Sequence, residues 1–118
     1  MSSVDDNLSK VIERDPQLEF LRPLIALAKR LLKPERITVF GSRARGDARR
    51  HSDVDLAFDL AKKETNNWAE FTAAANEDLP TLLDLDLVRM DQASLNIKQA
   101  VTREGIAIYE RKDLAQPG

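Results

Sequence analysis

The sequence has no cysteine and a single histidine, His51. A disulfide framework, a thiolate nucleophile and a structural zinc site are therefore excluded, and any bound metal has to be held by oxygen. Long hydrophobic runs are missing too: the longest uninterrupted apolar stretch is five residues, 24–28, far short of the ~20 needed to cross a bilayer. No membrane span is expected. The N-terminal residues 1–10 carry Asp5 and Asp6 and no apolar signal core, so the expected location is the cytoplasm. Neither sign of charge dominates, with 18 Lys and Arg against 20 Asp and Glu and a formal net charge of −2. That balance argues against a surface that binds polyanions everywhere, and direct nucleic-acid binding, which needs a long basic groove, is not expected.

The chain has 118 residues, 42% of them apolar, enough for one domain that buries roughly two-thirds of its unfolded surface. It reads as a single domain over 1–118, with a helical N-terminal segment at 1–34, a core at 37–109 and a loose tail at 111–118. Val4, Leu8, Val11 and Ile12 form one face of a short amphipathic helix. Asp15 and Pro16 look like an N-cap and a first helical residue. The second helical pattern uses Leu18, Leu21, Ile25, Ala28 and Leu32, and Pro23 should kink or restart it. Ile37, Thr38, Val39 and Phe40 make a β-branched, aromatic strand that stops at Gly41. From Asp53 to Leu60, Val54, Leu56, Phe58 and Leu60 alternate with Asp53, Asp55, Ala57 and Asp59, which gives a strand with one acidic face.

Thr65 or Asn66 can cap a helix whose apolar stripe is Trp68, Phe71, Ala75 and Leu79. Leu83, Leu85 and Leu87 alternate with Asp84, Asp86 and Val88 in a third strand that also bears acid. Ser94 opens a last helix, Gly105 sits where its C-cap belongs, and Ile106 to Tyr109 can add a short strand. The expected fold is α/β, of the α+β kind, with helices packed mainly on one face of a small mixed sheet. The apolar faces of the first two helices are candidates either for packing on that sheet or for binding a partner.

The chemistry concentrates between Phe40 and Leu56. A Gly41-Ser42 pair leaving a strand lets the backbone approach a phosphate closely, and N–H groups of a turn beginning at Ser42 would face the anion. Ten residues later comes Asp53-Val54-Asp55. Side chains two apart on a strand share a face with Cα atoms roughly 6.5 Å apart, a spacing at which two carboxylates can converge on hard cations sitting ~3.5–4 Å from each other. At an effective dielectric near 20, two such charges repel by about 2.5 kcal/mol, so a cluster of them should take up protons or metal.

Gly41-Ser42, ten residues and Asp53-x-Asp55 resemble the signature of the DNA polymerase β-like nucleotidyltransferase superfamily. The fuller strings Gly-Ser-Arg-Ala-Arg-Gly and Ser-Asp-Val-Asp-Leu are similar to its minimal nucleotidyltransferase (MNT) branch, whose members pair with HEPN-domain proteins as antitoxin and toxin. The resemblance implies a nucleotidyltransferase that moves AMP from ATP to a hydroxyl on a partner protein, with Mg²⁺ or Mn²⁺ as cofactor and a HEPN toxin as partner. It implies that Gly41 and Ser42 contact the triphosphate, that Asp53 and Asp55 are catalytic and bind metal, and that a third acid on the next strand completes the set. Asp84 and Asp86 share a face and both qualify. Asp86 is favoured, because its distance to the last helix and to 105–109 resembles the family's closing segment. Arg45, and with it Arg43, would offset phosphate charge.

Each feature also has a plain structural role. Asp-x-Asp taken singly is usually a solvent-facing edge, and the Gly-Ser spacing with a second acidic strand reverses that. Arg49 and Arg50 read as solvated or partner-facing, His51 as incidental, Asp59 as exposed, and Trp68, Phe71 and Tyr109 as packing. The alternative function is a non-catalytic antitoxin that neutralises its partner by complex formation.

Overall fold

Among the described residues four strands, β1 (Arg36–Phe40), β2 (Val54–Asp59), β3 (Leu85–Arg89) and β4 (Ile106–Glu110), form one sheet in the order β3-β2-β1-β4, and the helices that cover it lie mainly on one face. The computed structural model describes residues 4–61 and 67–112. Helix α1 spans Val4–Arg14, with Asp5 and Asp6 in its first turn and Arg14 in its last, as the helix dipole favours. A short 3-10 helix, Pro16–Phe20, leads into α2, Leu21–Leu31. Pro23 is the third residue of α2, where a backbone N–H has no intrahelical acceptor to lose, so the chain restarts at Leu21 and is not kinked later. Then follow β1 (Arg36–Phe40), the single turn α3 (Ser42–Arg45), β2 (Val54–Asp59), α4 (Trp68–Asp78), β3 (Leu85–Arg89), α5 (Leu95–Glu104) and β4 (Ile106–Glu110). Among the described residues no helix is long and apolar enough to cross a membrane.

Strand β1 is antiparallel to both of its neighbours, while β2 and β3 run parallel. Val54, Leu56 and Phe58 turn to one face with Ile37 and Val39, and they pack there with Leu8, Val11, Leu18, Leu21, Leu24 and Phe71 in one buried cluster. Much of the apolar face of α1 and of α2 is thus taken up by the core. Phe58 meets Trp68 and Phe71 edge-on at 5.4 and 5.2 Å between ring centroids, so both α4 aromatics are packing residues. Thr65 and Asn66 lie outside the described residues. Asn67 precedes α4 without capping it, and its Nδ2 instead donates to the Leu31 carbonyl at 2.8 Å.

The opposite face carries Asp55, Ala57 and Asp59 of β2 and Thr38 of β1. Here the C-terminal end of α5 closes on the sheet. Ser94 caps α5 by accepting from the Ile97 N–H at 3.2 Å. Gly105 follows the helix with an ordinary φ of −71°, so a left-handed cap is not its role. A β-carbon at position 105 would collide with the Thr38 methyl and the Val101 carbonyl; glycine is needed there for close approach.

Candidate active site

At the end of β1, Gly41 adopts φ 75° and ψ −156°, a region essentially closed to side-chain-bearing residues. The turn that follows closes on it: the N–H groups of Ala44 and Arg45 both donate to the Gly41 carbonyl at 3.0 Å. Phe40 pairs in register with Asp55. The Asp55 carboxylate consequently fills the space that a side chain at position 41 would need.

On its other side, Asp55 is in register with Asp86 across the parallel β2–β3 pair. Burial, ahead of the negative charge of Asp86, hydrogen bonding with Asp86 and the charge of Asp53, pushes the Asp55 carboxyl up to about 6, with Arg45 opposing. Asp53 stands just before β2 and Asp86 within β3, and both are exposed. Asp84 lies just outside β3, where its carbonyl accepts from the Val54 N–H at 2.9 Å. Among the described residues no three acidic or imidazole side chains stand close enough to ligate one ion as they are placed.

Ser42 is half-buried at the first position of α3. The two arginines of α3 go to different places. Arg45 is half-exposed near the acids; its Nη1 donates to both carboxylate oxygens of Glu104 at 3.0 Å and its Nε to Asp47 at 3.1 Å. Asp47 first and Glu104 second hold its proton more tightly than usual. The same Glu104 Oε1 accepts from the Gly41 N–H at 3.2 Å.

Arg43, expected beside the phosphates, is instead 2% exposed and turned into the N-terminal segment. It donates to Asp15 at 2.9 Å, Gln17 at 3.0 Å and the carbonyls of Ser52 and Arg50 at 2.8 and 3.3 Å. Its partners account for Asp15, which makes no side-chain cap bond to the helix after it. Arg14 braces the same turn by donating to the carbonyls of Arg43 and Ala44, both at 3.1 Å. Arg43 is thus a fastener between the N-terminal helices and the β1–β2 loop. Asp59 also differs from expectation: it is half-buried in register with Arg36, and burial raises its carboxyl.

A model of the family "Polymerase beta, Nucleotidyltransferase" matches residues 23–114, from within α2 past the end of β4. The chain belongs to that nucleotidyltransferase family. No curated protein matches this nucleotidyltransferase. Among solved structures it resembles a chain of a toxin–antitoxin complex with AMP-PNP, at 28% identity and TM-score 0.56 over 78% of this chain and 74% of that one. A mutant of the MntA–HpeT toxin–antitoxin is similar at 28% identity and TM-score 0.59, over 79% and 74%. A chain from the structure of a tri-AMPylated Shewanella oneidensis HEPN toxin in complex with MNT antitoxin shares the fold, at 22% identity and TM-score 0.52 over 84% and 76%.

Beside the candidate residues Gly41 and Arg45 stands a residue that the motif does not point to, Glu104. Its only signal in the sequence is its place: an acid at the C-terminal end of a helix opposes the dipole and so needs a partner elsewhere.

Proposed function

We propose that this nucleotidyltransferase moves AMP from ATP to a hydroxyl on a partner protein, and that the partner is a HEPN-domain toxin which it neutralises as the antitoxin. The observation that carries the enzymatic reading is the position of Asp55, wedged against Gly41 on one side and in register with Asp86 on the other. The resemblance to toxin–antitoxin structures, one of them with AMP-PNP, supports the nucleotide and the partner.

The chemistry of the donor set suits a hard divalent cation such as Mg²⁺ or Mn²⁺, although the side chains as placed do not converge on one ion. All the donors are carboxylate oxygens, and the raised Asp55 carboxyl marks a place where a positive charge is wanted. Asp53, Asp55 and Asp86 would hold the metal, which when bound would screen phosphate charge and acidify the acceptor hydroxyl. The chain's own groups do the rest. Gly41, having no side chain, lets Asp55 reach the end of β1 and would let a triphosphate come close to the backbone at the Gly41-Ser42 step. Arg45 would supply positive charge beside it, and Asp86, exposed on β3, would receive the acceptor's proton.

A transfer assay with labelled ATP, Mg²⁺ and the partner tests this. Wild type should label the partner; Asp53→Asn and Asp86→Asn should lose labelling by at least ~100-fold, as expected for loss of acid–base and charge-stabilising groups, while Asp84→Asn keeps it. Equal neutralisation of the toxin by wild type and Asp53→Asn, with no label on either, would make this a chain that acts by covering its partner.

A further inference from the structure

We propose that Glu104 is a built-in competitor for the nucleotide's phosphates, so that its carboxylate sets the affinity of the site for triphosphate; the inference rests on the nucleotidyltransferase reading. The groups expected to face the phosphates are Arg45 and the backbone at the Gly41-Ser42 step. Both are already engaged by one carboxylate: Arg45 Nη1 meets the two oxygens of Glu104 at 3.0 Å, and the Gly41 N–H meets Oε1 at 3.2 Å. A guanidinium with a backbone N–H is a donor set that suits carboxylate and phosphate oxygens alike. Glu104 therefore stands where an anionic ligand would.

Three features make the contact a replaceable one. Glu104 ends α5, where the helix dipole repels an anion, so Arg45 and Gly41 are what hold it. The backbone next to it is pinned, because Gly105 lies against Thr38 and the Val101 carbonyl. Release is then a rotation of the Glu104 side chain, with no shift of α5. Finally, Arg45 binds Asp47 through a different nitrogen, Nε at 3.1 Å, so departure of Glu104 opens Nη1 while the arginine stays anchored. With Glu104 in place, an incoming phosphate finds one arginine already facing two carboxylates. A ligand whose competent site is open only part of the time binds more weakly by that fraction.

The test measures binding of AMP-PNP with Mg²⁺, and of inorganic triphosphate, to the full chain by calorimetry. Glu104→Gln keeps an acceptor for the Gly41 N–H and removes the charge. It should bind both probes about tenfold more tightly than wild type, the factor expected if the cradle is open about one-tenth of the time. In an Arg45→Ala background the same change should have no effect on affinity. Unchanged or weaker binding by Glu104→Gln, with wild-type binding intact, overturns the inference and leaves the nucleotidyltransferase reading standing. If neither chain binds either probe, both fall. Should Glu104→Gln fail to fold, Glu104→Ala, which removes the carboxylate altogether, is measured in its place with the same expectation.

Discussion

The Asp55 carboxylate and the α-carbon of Gly41 share a space that cannot also hold a β-carbon. Gly41 is required twice over, since its φ of 75° and ψ of −156° also exclude other residues. Gly41→Ala should therefore destabilise the protein by about 1–3 kcal/mol from backbone strain, with a further loss from displacing Asp55. Nucleotide transfer should vanish in the same variant, because the acid is pushed out of register with Asp86. Urea denaturation and the labelled-ATP assay check this, and an alanine variant with wild-type stability and turnover would refute it.

The strands were readable from the sequence because period-two alternation survives in 54–59 and in 85–87; β2 is one residue shorter than expected at each end, with Asp53 and Leu60 just outside it, and β3 begins at Leu85 rather than Leu83. The Gly-Ser and Asp-x-Asp spacing likewise brought Gly41 and Asp55 together on paper. Alternation alone leaves open which acid faces Asp55, because Asp84 and Asp86 have the same parity; the family resemblance favours Asp86, and the β2–β3 pairing has Asp86 opposite Asp55. The burial of Arg43 is not legible in the motif for a similar reason. Its partners Asp15 and Gln17 are 28 and 26 residues away, and nothing local in the motif reveals that the N-terminal helices fold back over α3. Asp59 was expected in water because alternation reports which face a residue is on, and not whether that face is covered.

Asp55→Asn should stabilise the folded chain at pH 7 while abolishing transfer. The Asp55 carboxyl is raised to about 6 in the folded state, so folding takes up a proton between that value and the ordinary carboxylate range. Wild-type stability accordingly increases as pH falls from about 6 toward 4, and above 6 the full penalty of the charged form is present. The shift corresponds to about 3 kcal/mol at face value; the group is partly solvated, which reduces it to about 1–2 kcal/mol. The asparagine variant should exceed wild type by that amount at pH 7 and match it near pH 4. Mg²⁺ should raise the melting temperature of wild type and leave Asp55→Asn unmoved. Denaturation profiles across pH read both effects, and a variant that is less stable at pH 7, or a difference that ignores pH, contradicts the assignment.

Arg43 offers the clearest separation of fold from chemistry. Its guanidinium is 2% exposed, is paired with Asp15 and feeds two loop carbonyls. Removing it leaves the Asp15 carboxylate and the Ser52 carbonyl without this donor, while the Arg50 carbonyl keeps the Gln17 Nε2 donor at 3.1 Å. Arg43→Met should therefore destabilise the domain by about 3 kcal/mol, the usual result of breaking a buried pair from one side. Lysine is not a conservative replacement, because a single ammonium with three donors cannot span Asp15, Gln17 and the carbonyls of Arg50 and Ser52 together. Adding Asp15→Asn to Arg43→Met should recover part of the loss, since the stranded charge is then gone. Affinity for AMP-PNP per folded molecule should change less than twofold in Arg43→Met, whereas loss of Arg45 should weaken it at unchanged stability. If Arg43→Met instead keeps its melting temperature and loses nucleotide, then Arg43 belongs beside the phosphates after all and the fastening role is wrong.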